Sequence, residues 1–141
     1  MDIFRSLNVS ASGLTAQRAR MDVIAENIAN SDTTITATGR PYQRKTVVLR
    51  ANDSSAFDAM LPGAKPGAVV VDGVRTSAEA PRRVWQPEHP HAGPDGFVEV
   101  PNVNTVQEMT DMMASTRAYE ANVVAFQAAK SLGSKLLELL R

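Results

Sequence analysis

Apolar residues recur every seven positions at both ends of the chain and alternate only in its middle. Near the start, Leu7, Leu14, Met21 and Ile28 hold one heptad position, with Ala11 and Ala25 four residues after two of them. Arg18 interrupts that second position, and Ser10 and Gln17 border the stripe. A seven-residue apolar repeat is the seam of helices that pair side by side, so the spacing predicts a long N-terminal helix. Asn27 and Asn30, followed by "SDTT", supply its stop, because Asn tolerates the left-handed backbone that ends a helix.

The other end repeats the design. Met112, Tyr119, Phe126, Gly133 and Leu140 fall on one heptad position, and Met109, Thr116, Val123, Lys130 and Leu137 on the other. Thr105 and Glu108 have the spacing of a capping box, and Asn104 is an equally good cap one residue earlier. From Thr105 to Leu140 such a helix would run roughly 54 Å at about 1.5 Å per residue, longer than a domain of this size is wide. It must project or be matched by partners.

Proline marks the boundaries. All eight prolines lie between Pro41 and Pro101, and six of the eight glycines lie between Gly39 and Gly96. Proline removes a backbone donor and clashes with the preceding helical turn, so the proline-free ends permit unbroken helices. Between them, "YQRKTVVLR", "RRVWQ" around Trp85 and "GFVEV" after the turn at Pro94 to Gly96 read as strands. Asp72-Gly73 within "VVVDGVRT" signals a tight hairpin. The stretch from Ala51 to Gly67 is small, polar and rich in glycine and proline, the composition of a mobile loop. The expected fold is therefore α+β: two long terminal helices, over 1–34 and 104–141, pairing as a coiled-coil-like unit, with a small β-rich domain over 35–103 inserted between them.

Charge narrows the partners. The formal net charge is zero, and the balance is local: three basic against three acidic residues over 1–30, eight against eight over 31–103, four against four over 104–141. Nucleic-acid and anionic-membrane binders gain affinity from clustered Lys and Arg. The densest basic spots here are the pairs Arg44-Lys45 and Arg82-Arg83, which read as solvated strand faces. Neither nucleic acid nor membrane insertion is expected, and no run approaches the roughly 18 apolar residues of a transmembrane helix. The first twenty residues lack a basic start followed by an apolar core, so a cleaved signal peptide is not expected either.

Candidate chemistry is thin. Cysteine is absent, which removes disulfides, thiolate nucleophiles and zinc-cysteine sites. Glu88, His89, His91 and Asp95 are the one cluster of metal-ligand types, but Pro90 holds the histidines in an extended segment and no helix aligns them. A metal hydrolase on this 88–95 loop is the enzymatic alternative; a polar loop between strands is the plainer one. No Gly-rich phosphate loop, "GxSxG" elbow or "HExxH" occurs, so no catalytic residue, metal or cofactor is expected. Gly13 and Gly133 each cost a helix about 1 kcal/mol relative to alanine, and at Gly133, on the seam, the missing side chain would let another backbone approach.

Short isolated helices are marginal in water, because packing supplies most helical stability. A middle zone of some seventy residues cannot cover two such helices, so other subunits are expected to complete the seams. The assembly interface is thus expected at Leu7, Leu14, Met21, Ile28, Met109, Met112, Tyr119, Val123, Phe126, Leu137 and Leu140. A helical adaptor or chaperone of an export system is the alternative use of the same helices; it would stay soluble and bind its client reversibly.

"SASGLTAQRARMDVIAENIANSDTT" near the start and "EMTDMMASTRAYEANVVAFQAAKSL" near the end resemble the paired terminal signatures of bacterial flagellar axial proteins, the rod and hook group. Within it, "GRPYQRKTVV", "HPHAGPDGFVEVPNVN" and the short length resemble the proximal rod protein C type; Trp85 stands where that type carries a tyrosine. The resemblance implies a structural, non-enzymatic subunit of the flagellar basal body, in the rod that crosses the periplasm. Its terminal helices would pack into an inner tube and its middle would form a small outer domain. Implied partners are other rod proteins, copies of itself, the basal-body base and the type III export apparatus, a route that cleaves no signal peptide.

Overall fold

Helix α1 runs from Ile3 to Ala29 in the computed structural model, which describes residues 3–51 and 67–139. Asn30 ends it: its amide N–H and its side-chain Nδ2 both donate to the Glu26 carbonyl, at 3.1 and 2.9 Å, and the Thr33 hydroxyl donates to Asn30 Oδ1. Asn27 takes no part in this stop. It lies inside the helix and is 1% exposed, because its amide is engaged by other segments.

Strands β1 (Lys45–Ala51) and β2 (Val69–Thr76) pair in a two-stranded sheet. The hairpin expected at Asp72-Gly73 is not formed: β2 continues through both residues. The run before Asp72 pairs with β1 instead of folding back, and the Asp72 carboxylate meets Arg50 of β1 at 3.3 Å rather than capping a turn. Ala51 belongs to β1, and residues 52–66 of the expected mobile loop lie outside the described residues.

Strands β3 (Arg82–Trp85) and β4 (Phe97–Val100) form an antiparallel pair with Arg82 opposite Val100 and Trp85 opposite Phe97. The return is made at Gly93–Gly96, where the Gly96 N–H donates to the Gly93 carbonyl at 2.9 Å. Gly96 has φ of 72°, and a Cβ there would stand 3.2 Å from Trp85 Nε1, so both backbone and neighbour call for glycine.

Helix α2 spans Thr105–Leu139. Asn104 is its cap: Oδ1 accepts the N–H groups of Val106 and Gln107 at 3.1 and 3.3 Å. The Thr105–Glu108 capping box is not formed, because the Glu108 carboxylate turns inward to Arg44 and Asn27.

Two compact units result. One comprises the described parts of Met1–Met21, Val47–Gly73 and Ala114–Arg141, with Ala16, Val47, Ser115 and Ala129 buried. The other comprises Asp22–Thr46 and Val74–Met113, and buries Ile24, Tyr42, Val98, Pro101 and Val103 together with Asn27 and Glu108.

Candidate assembly interface

The heptad positions of the expected interface fall into three groups. Leu7, Leu14, Met21 and Ile28 of α1, and Met112, Tyr119, Val123 and Phe126 of α2, are half-buried. Met109 and Leu137 are exposed, Leu137 by 72%. Leu140 lies outside the described residues.

Burial in α2 follows its own 4-3 rhythm. Glu108, Ser115 and Ala129 are buried and Met112, Tyr119, Asn122, Phe126 and Gly133 half-buried, as are Thr105, Asp111, Ala118 and Val123 beside them, while Thr116 and Lys130 are exposed. The first heptad position is the one read from the sequence; the second lies one residue earlier. In α1 the same shift occurs: Ser10, Gln17 and Ile24 are more covered than Ala11, Arg18 and Ala25. The reason is chemical. The second position in α2 carries Glu108, Ser115, Asn122 and Ala129, so a search for apolar side chains steps off it onto its neighbours.

Within the unit built from the chain ends, small and polar groups meet. A Cβ at Gly13 would stand 3.0 Å from Asn122 Nδ2, so this glycine lets the Asn122 side chain lie against α1. The Thr116 hydroxyl lies 3.6 Å from Met21 Sδ. With Gly13 against Asn122 and Met21 against Thr116, α1 and α2 run antiparallel in this unit. Gln17 Oε1 and Ser115 Oγ are buried and have no hydrogen-bond partner among the described residues.

The other unit holds a buried polar junction that heptad reasoning did not find. Asn27 Nδ2 donates to Glu108 Oε2 at 3.0 Å and to the Lys45 carbonyl at 2.9 Å. Asn27 Oδ1 accepts the Lys45 N–H and the Tyr42 hydroxyl, both at 2.9 Å. Arg44 Nε donates to Glu108 Oε1 at 2.6 Å, and a longer 3.8 Å pair links Arg44 to Asp111. Burial, aided by the Glu26 and Glu108 carboxylates, pushes the Tyr42 hydroxyl up to about 12. The one signal in the sequence is an Asn beside the last apolar position of the repeat, a residue equally suited to ending a helix.

The 88–95 loop forms no such cluster. His91 Nδ1 bonds the Thr34 hydroxyl at 2.8 Å, and the His89 ring meets the His91 ring edge-on at 5.3 Å. Among the described residues no group of three or more His, Asp or Glu side chains is placed to hold a metal ion. The outer side of α2's first turns instead exposes an apolar row, Val106, Met109 and Met113, at helical spacing. No described helix is long and apolar enough to cross a membrane.

Residues 7–34 match the family model described as "Flagella basal body rod protein", and residues 95–139 match "Flagellar basal body rod FlgEFG protein C-terminal". The flagellar basal-body rod protein FlgC of Bacillus subtilis is 42% identical to this chain over 99% of each. The chain belongs to the FlgC family of flagellar basal-body rod proteins. FlgC of Borreliella burgdorferi is 38% identical over 100% of this chain and 99% of its own length. FlgC of Salmonella typhimurium is 34% identical over 99% and 98%. Both family matches fall on segments dominated by α1 or α2, which joins the paired terminal signatures to the helices that carry the heptads.

Proposed function

We propose that this chain is a structural subunit of the proximal rod of a bacterial flagellar basal body, assembled with copies of itself and other basal-body components. The full-length similarity to FlgC proteins carries this reading. A rod is held by contacts and has no chemical step, so no residue is assigned to catalysis.

In this account residues 1–34 and 104–141 form the inner part of the rod and 35–103 a small outer domain. The terminal helices engage their neighbours, in coiled-coil fashion, through Leu7, Leu14, Met21, Ile28, Met109, Met112, Tyr119, Val123, Phe126, Leu137 and Leu140. Two features support the ends as assembly segments: the half-burial of the first heptad position, and the exposure of Met109, Leu137 and the row beside them. Ordering a helix costs backbone entropy, and a seam this polar offsets little of it within one chain. Neighbouring subunits then complete the burial, which confines growth to the rod tip, as in other open head-to-tail assemblies. Export follows the flagellar type III route without a cleaved signal peptide.

Basal bodies purified from cells making this chain test the reading. A rod subunit co-purifies with the basal body; a soluble adaptor or chaperone is recovered only in the soluble fraction, and that result would replace the rod reading.

A further inference from the structure

We propose that Asn27 is the positioning residue that fixes the register of α1's last turns against the start of β1 and the first turns of α2. Its consequence for assembly rests on the rod reading; its consequence for the free chain does not.

Asn27 is 1% exposed and uses all the capacity of its amide, two donors and two acceptor lone pairs, on three other residues. Those residues come from two separate stretches of chain, Tyr42 and Lys45 on one side and Glu108, 81 residues away, on the other. No other register of the helices gives the same set of partners.

The heptad position that Glu108 occupies continues as Ser115, Asn122 and Ala129, so at this position a slide of one heptad exchanges small or polar side chains and changes little in buried apolar area. The same slide would take Glu108 away from the Asn27 amide and leave two buried polar side chains short of partners. A polar side chain in a helical seam specifies register in this way, by penalising every alternative rather than by adding stability. For a subunit that presents both helices to neighbours, register decides which residues are presented together.

The chain is tested with Asn27→Asp, which sets a carboxylate against both Glu108 and the Lys45 carbonyl, and with Asn27→Asp/Glu108→Gln, which restores a donor facing an acceptor at residue 108 only. Two readouts are taken: hydrogen exchange of the Lys45 amide in the purified chain, and recovery of the chain in basal bodies. The single variant should lose about tenfold or more of the Lys45 protection, the size of a lost bond to a charged group, and be missing from basal bodies. The double variant should regain part of both, because the bond to the Lys45 carbonyl stays lost. Wild-type exchange in the single variant, a double variant no better than the single, or wild-type incorporation of the single variant overturns the proposal. Failure of the wild-type chain to appear in basal bodies overturns the rod reading instead and leaves the exchange result to decide the register.

Discussion

Arg44 and Glu108 form a lopsided ion pair: Nε and Oε1 are 2.6 Å apart, yet the arginine side chain is 31% exposed and the carboxylate 1%. The two partners therefore differ in what their loss leaves behind. Arg44→Ala strands a buried carboxylate with only the Asn27 amide as support, and should destabilise the chain by about 3 kcal/mol. Glu108→Gln removes the buried charge and can keep one acceptor for Arg44, but then turns its NH2 toward Asn27 Nδ2, so it should cost about 2 kcal/mol, still less than a stranded carboxylate. Urea unfolding of the two variants checks the order; a costlier Glu108→Gln would contradict it.

Tyr42 makes stability sensitive to alkali. Its hydroxyl titrates at about 12 in the folded chain, against about 10 in an unfolded one. Between those values the unfolded chain gives up its proton while the folded chain keeps it. The stability present below about pH 10 is therefore lost as pH rises toward about 12. Tyr42→Phe should flatten the fall across this window, while costing about 1 kcal/mol at neutral pH through the lost bond to Asn27. Unfolding midpoints for both chains over a pH series give the comparison.

Gly13 and Asn122 should be energetically coupled. Alanine gains about 1 kcal/mol over glycine in a helix interior, but a Cβ at Gly13 would stand 3.0 Å from Asn122 Nδ2 and displace that side chain. Gly13→Ala should therefore stabilise more in an Asn122→Ala background than in the wild type. A double-mutant cycle followed by thermal unfolding measures the difference, and strict additivity would mean that the close approach is not felt.

The start of α2 offers a direct comparison of two caps. Asn104→Ala removes the acceptor of two backbone N–H groups and should cost about 1 kcal/mol. Thr105→Ala, at the position expected to open a capping box, should change stability by less than about 0.5 kcal/mol. Equal effects would restore the capping box.

The heptad period, the proline-free helices and strands β1, β3 and β4 were legible in the sequence because each depends on local spacing. The phase of the second seam position was not. Ser115, Asn122 and Glu108 do not look like core residues, and their cover comes from residues far away in the chain. The Asp72-Gly73 turn failed for a related reason: a local hairpin signal lost to pairing with a strand whose Arg50 supplies a cross-strand partner. Asn27 was the costliest misreading, since the property that suits Asn to a helix end, a compact amide with donors and acceptors, also suits it to a buried junction.

Phe126 and Tyr119 are the two large aromatics on the heptad positions of α2 that we propose hold this subunit in the rod, and both are half-buried. The decisive measurement is the amount of Phe126→Asp chain in purified basal bodies relative to wild type. Hydrogen exchange at Lys45 shows that the junction around Asn27 is still folded. The expected result is a folded junction with the chain absent from basal bodies and swimming lost. Incorporation at the wild-type level with normal swimming would contradict it.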